Sequence, residues 1–288
     1  MYKKLFISFL LIVMVQLSFI KVIDKSSSEQ LDRAFTRSLS VFAIVRSLNG
    51  LISVAQGTEV YATPAGVGVN FAVGQIVDPM NDMLERFSWI MLLSSVSLGV
   101  QEILLHFGQT ELVQGLLGVS VLILLALLWI PKLWHKEGFN LIFKSFIIFS
   151  FLRFLVPLIV LINEGVYEYG LQEQYEKAKG SLEVTQMQTE IIVQKVRQTR
   201  QDHESSWLES LNVKQQVEEF RVKMKTLWIN LKNKFSHAID YMLSLISIFI
   251  VQSILLPLLS LWLFFKLFRK LISTDIAGII ENKTTKNV

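Results

Sequence analysis

The sequence predicts an all-α integral membrane protein with four or five hydrophobic helices, a small β-hairpin near residues 58–77 and a long extramembrane antiparallel helical hairpin. Three observations lead there. Hydrophobic residues make up 52% of the 288 and mean hydropathy is +0.47, too apolar for an ordinary globular domain. The apolar residues gather into runs, Leu112 to Ile130, Phe139 to Ile162 and Met242 to Phe265, near the roughly 20 residues that cross a bilayer. Between the last two runs lies a polar stretch whose apolar positions step alternately by three and four, as in a coiled-coil seam.

Residues 1–20, MYKKLFISFLLIVMVQLSFI, have a basic start and an apolar run from Leu5 to Ile20 with no small-x-small site before Lys21. They read as an uncleaved membrane anchor, with a cleaved signal peptide as the alternative; either places the next segment outside the cytoplasm.

Residues 21–86 form an extramembrane segment. Ser27 and Gln30 make a capping box, and Leu31, Phe35, Phe42, Val45 and Ile52 recur at near-helical spacing to give one packing face. Further on, Val67, Val69, Phe71 and Val73 alternate with Gly68, Asn70, Ala72 and Gly74. That period of two sends bulky and nearly bare side chains to opposite faces of a strand. Gly66, Gly68 and Gly74 are therefore candidate close-packing glycines, where another backbone can approach. The glycine spacing lacks a third member and leads into no helix, which excludes a dinucleotide loop. Asp78 and Pro79 then mark a helix start, as N-cap and first helical residue.

Residues 87–163 carry the membrane helices. Phe87 to Leu105 would rise about 27 Å, just enough to span, but contains Gln101 and Glu102, so a re-entrant or surface-lying segment is the alternative. PKLWHKEG, between the next two runs, has the tryptophan and lysines of a membrane interface.

Residues 164–241 form the helical hairpin. Positions 171, 175, 178, 182, 185, 189, 192 and 196 form one seam, and 213, 217, 220, 224, 227 and 231 the other, with Ser206 and Glu209 restarting the helix between them. Residues 242–288 are the last membrane helix and a short basic tail. Short basic flanks, Lys132, Lys136, Lys266, Arg269 and Lys270, favour an exported hairpin. With a cytoplasmic amino terminus that topology has four spans; five spans would place the hairpin inside.

The expected location is the cell membrane, multi-pass, of bacterial inner-membrane type. The 28 basic and 24 acidic residues leave +4 formal charge, scattered and not gathered into a patch, which argues against nucleic acid. Cys is absent, the four histidines lie far apart, and no phosphate loop or nucleophile elbow occurs. No enzyme, cofactor or metal is expected.

The residue that stands out is Arg153, in FLRFLVPLIV. A mid-span arginine costs roughly 2.5–3.5 kcal/mol on insertion scales and normally faces a partner or a wet cavity. Counting rise along parallel helices places Glu102 at its depth, and Pro157 strips the Arg153 carbonyl of its helical donor. Arg153, Glu102, Gln101 and Gln252 form the candidate intramembrane polar site. The expected function is a scaffold or assembly protein acting through its hairpin, with the bilayer and either further copies of itself or other envelope proteins as partners. The alternative is a subunit of an oligomeric channel or transporter, with Arg153 and Glu102 lining the path.

Overall fold

A computed structural model describes residues 2–57, 74–130, 135–206 and 213–274. They form helices α1 (Tyr2–Phe19), α2 (Lys21–Gly57), α3 (Gly74–Gly108), α4 (Glu111–Trp129), α5 (Lys136–Val166), α6 (Gln172–Ser206), α7 (Val213–Ile250) and α8 (Leu256–Ser273). Single π-helical turns, Tyr167–Leu171 and Val251–Leu255, join α5 to α6 and α7 to α8. Among the described residues, four helical runs are long and apolar enough to cross a membrane: Asp78–Gly108, Glu111–Trp129, Lys136–Thr199 and Lys225–Ser273. The pair Lys4–Phe19 and Lys21–Val54, bent by 52° at its break, makes a fifth if counted as one span.

The described residues contain no strand. Most of the β-hairpin expected near residues 58–77, with Gly66 and Gly68, lies outside them, but residues 74–77 are described and are helical. The helix start expected at Asp78 is thereby corrected to Gly74. Pro79 is tolerated inside α3 because, so near the start, its missing N–H deprives only the Gln75 carbonyl of a donor.

The chain divides into two compact units, the first comprising Met1–Phe35, Ser97–Tyr167 and Gln252–Val288, the second Thr36–Val96 and Glu168–Val251. In the first unit Leu11 of α1, Val121, Leu124 and Leu128 of α4, and Phe139, Phe146 and Ile147 of α5 form one apolar cluster. Leu31 and Ala34 of α2 pack with Leu98 and Leu105 of α3 and Val156 and Val160 of α5 in another. Phe151 of α5 lies 4.6 Å from Phe268 and 6.4 Å, edge-on, from Phe265, both of α8.

The second unit is built on heptad seams. Ser38, Val41, Val45, Leu48 and Ile52 of α2 are buried at steps of three and four, as are Met80, Leu84, Phe87 and Met91 of α3. The Ser38 hydroxyl lies 2.8 Å from that of Ser95, so two polar residues satisfy one another inside the seam. On α6 the buried series Tyr175, Ala178, Leu182, Thr185 and Thr189 follows the expected seam and then shifts from Ile192 to Val193. Two successive steps of four make this shift, which corrects the drift of a 3.6-residue helix against a 3.5-residue repeat. On α7 the seam runs Trp228, Leu231, Phe235, Ala238, Met242 and Leu245, with Trp228 buried in place of Leu227. The rings of Tyr175 and Phe249 meet edge-on at 6.0 Å. Both lie far from the 207–212 connection, so α6 and α7 run antiparallel.

Candidate functional site

The site belongs to the first unit and is built around a helix break. α1 ends at Phe19, Ile20 is not helical, and α2 begins at Lys21. A helix end leaves its last carbonyls without internal donors, which is costly where no water can replace them. Arg153 of α5 supplies the donors. Its Nε and Nη2 donate to the Ser18 carbonyl at 3.1 and 2.7 Å, and Nε also donates to the Ser18 hydroxyl at 3.2 Å. Nη2 stands 2.7 Å from Oδ1 and 2.8 Å from Oδ2 of Asp24. Asp24 lies in the first turn of α2. A cation at a helix carboxyl end and an anion at an amino end each oppose the adjacent macrodipole charge, so both halves of the pair stand where the backbone favours them.

Arg153 is 1% exposed and the Asp24 side chain 17%. Hydrogen bonds to charged groups are worth about 1.5–3 kcal/mol each. The single Nε–H, shared between the Ser18 carbonyl and hydroxyl, and the Nη2 hydrogens on that carbonyl and on Asp24 offset the cost of burying this charge. The guanidinium also lies 5.6 Å from the Phe154 ring centre, and its Nη1 is buried without a hydrogen-bond partner.

The partner expected for Arg153 was Glu102, and the structure corrects this to Asp24. Glu102 is half-buried on α3, and its carbonyl oxygen lies 2.9 Å from His106 Nδ1. Counting depth along straight helices set α2 outside the membrane and could not register the break that carries Asp24 to Arg153.

Gln101 and Gln252 are both buried; Gln101 belongs to a second polar node, whereas Gln252 lines a small cavity with Asn163 and Glu164. Pro257 has no N–H for the Ser253 carbonyl four residues before it, and this carbonyl belongs to the second π-helical turn. Ser97 Oγ donates to it at 2.6 Å, and Gln101 Nε2 at 3.4 Å. Sequence reasoning missed Ser97 and Ser253, although the rule applied at Pro157 points to Ser253 when applied at Pro257. A third node pairs Arg33 with Glu164 at 3.5 Å, beside the buried Asn163. The polar residues therefore stand at three nodes within the unit, each built on its own backbone or charge requirement. Among the described residues no three His, Asp or Glu gather to hold a metal ion.

Of the candidate close-packing glycines, Gly74 is the first residue of α3. Among the described glycines of the first unit, the one that packs closely is Gly108, where an added Cβ would stand 2.6 Å from the Leu152 carbonyl oxygen. This close approach brings the end of α3 against α5, one residue before Arg153. Gly108→Ala is expected to lower stability by about 1–3 kcal/mol, as overpacking does, because the obstructing atom is backbone. Gly99→Ala, with no atom within 4 Å of its added Cβ, is expected to be neutral or stabilising by up to about 1 kcal/mol through helix propensity. Thermal unfolding in detergent checks the contrast, and equal effects at the two positions would refute it.

Comparison with family models, with curated proteins and with solved structures finds no match to this chain.

Proposed function

We propose that the protein is a non-enzymatic, multi-pass scaffold of bacterial inner-membrane type, anchored by its apolar helices and acting through an extramembrane α6–α7 hairpin that binds a second copy of the chain. The observation that carries this reading is a second apolar stripe on α6. Val184, Met187 and Ile191 are 47%, 57% and 51% exposed at steps of three and four, away from the buried seam. Glu183 and Glu190 beside them are charged, and Lys179 bridges to Glu183 at 3.6 Å. A helix this charged is poorly suited to lipid, so its apolar stripe calls for a protein surface. Val222 and Ile229, exposed one heptad apart, extend the same pattern onto α7. One stripe on one helix is self-complementary about a two-fold axis, the commonest symmetry of homo-oligomers, which is why a second copy is the chosen occupant.

The alternative, a channel or transporter subunit with Arg153 and Glu102 along its path, has less support. Most of the Arg153 donors are spent on Ser18 and Asp24, and the side chain is 1% exposed. A conducting site needs groups that let go of their partners.

The test replaces Val184, Met187 and Ile191 together by Glu. The native mass of the purified protein is expected to fall from dimer to monomer with the thermal midpoint unchanged, since these side chains lie outside the core. A single Arg197→Cys, exposed on α6 outside the stripe in a chain without native cysteine, is expected to react with an impermeant thiol reagent in intact cells if the hairpin is exported. An unaltered mass for the triple variant overturns self-association. Ion flux in proteoliposomes that disappears on Arg153 substitution would select the channel instead.

A further inference from the structure

The first unit holds a long apolar groove of about 550 Å3, lined by α1, α4, α5 and α8. Ser150 is the one polar residue among a lining that runs from Phe6 and Leu10 on α1, through Phe143 and Leu158 on α5, to Leu271 on α8. Water does not fill a space of this chemistry, so within a bilayer the occupant is hydrocarbon or another helix.

Dimensions decide between them. On α5 the lining extends from Phe139 to Leu158, about 28 Å at helical rise. Spread over that length, 550 Å3 of room for the centres of water molecules gives about 20 Å2, or about 48 Å2 once the 1.4 Å radius of water is added all round. A helix with its side chains is about 10–12 Å across and needs roughly 80–110 Å2. The groove is a slot for extended chain and is too thin for a helix. Its length is close to the roughly 30 Å thickness of a hydrocarbon core.

The charge at one end indicates the headgroup. Lys4 donates to the Leu128 carbonyl at 3.1 Å, which sets the start of α1 beside the end of α4. Phe268 and Ile272 of α8 pack on the cluster that contains Phe139, near the start of α5. Phe268 also meets Phe151, so Arg269 and Lys270, in the last turns of α8, lie toward the same end as Lys4 and Lys136 but deeper along α5; all four are exposed, with Glu137 offsetting one of them. Basic residues at a membrane surface contribute about 1 kcal/mol each toward anionic lipid.

We infer that this groove is a binding site for one anionic phospholipid, its acyl chain lying along α1, α5 and α8 and its headgroup at the Lys4, Arg269 and Lys270 end. The inference rests on the membrane part of the proposed function and is independent of self-association.

The test is native mass spectrometry of the full chain, purified from membranes and supplied with phosphatidylglycerol or phosphatidylcholine. The wild type is expected to retain one phosphatidylglycerol and to prefer it about tenfold. Leu10→Trp with Leu158→Trp, at lining positions 48% and 41% exposed, fills the slot and is expected to abolish retention of both lipids. Arg269→Gln with Lys270→Gln, a surface change that leaves the core intact, is expected to retain lipid and lose the preference. Wild type without bound lipid, equal binding of the two lipids by wild type, or unchanged retention by the tryptophan variant each overturns the inference. Recovery of the chain from the soluble fraction would instead refute the membrane reading; a membrane-bound chain without lipid refutes the lipid site alone.

Discussion

Arg153→Leu is expected to lower the unfolding free energy by about 3–5 kcal/mol, the usual cost of removing one partner from a buried ion pair. The loss has two sources. The Asp24 carboxylate, 17% exposed, keeps its charge without its cation, and the Ser18 carbonyl at the end of α1 loses the donors at 2.7 and 3.1 Å. Asp24→Asn is expected to cost less, about 1.5–3 kcal/mol, because Arg153 still caps α1. The double variant recovers the carboxylate share of the loss and leaves the carbonyl share. Arg153→Lys retains the charge, but a single ammonium cannot reproduce a planar guanidinium that serves Ser18 and Asp24 together, so it recovers only part. Denaturation of the four variants in detergent decides. Strictly additive single losses would mean that Arg153 and Asp24 do not meet, whereas coupling between Arg153→Leu and Glu102→Gln would restore the pairing with α3.

How far this site could be read from the sequence depends on what kind of signal each residue leaves. Arg153 is conspicuous because a charge inside an apolar run violates local composition. Asp24 leaves no such trace, since it stands in a polar stretch where acids are ordinary. The break that delivers it is silent too, because residues 19–22 hold no Gly or Pro to announce the bend at Ile20. Pro257 is visible and predicts that the Ser253 carbonyl lacks its donor four residues on, but the side chains that answer it, Ser97 and Gln101, come from α3. No spacing rule connects them.

The seams show the same division. Apolar seam positions such as Val45 and Ile52 are legible from periodicity, and the pattern weakens where serine occupies the seam. Ser38 is fully buried because Ser95 lies opposite it, a pairing between helices that one helix's sequence does not carry. Ile192 gives way to Val193 on α6 for a related reason. The heptad is a property of two helices supercoiling together, whereas the single strand of sequence records only the 3.6-residue drift.

Phe235→Ala is expected to be the other strongly destabilising change, at about 3–5 kcal/mol for truncating a buried phenylalanine. Phe235 is 0% exposed on α7, among Lys232, Lys234, Ser236 and His237. Its depth in a segment this polar makes it a test of what surrounds the α6–α7 pair. A phenylalanine excluded from water loses transfer energy and leaves a cavity when truncated. A phenylalanine facing lipid is replaced by hydrocarbon and gives up little of the transfer term. Val222→Ala, at a site 56% exposed on the same helix, is expected to stay within about 0.5 kcal/mol. Urea unfolding followed through an α6–α7 probe measures both. A large loss at Phe235 with none at Val222 places the seam in a water-excluded protein core. A loss near 1 kcal/mol at Phe235 would mean that α6 and α7 do not close on one another, and the scaffold reading would then lack the rigid element on which its docking stripe depends.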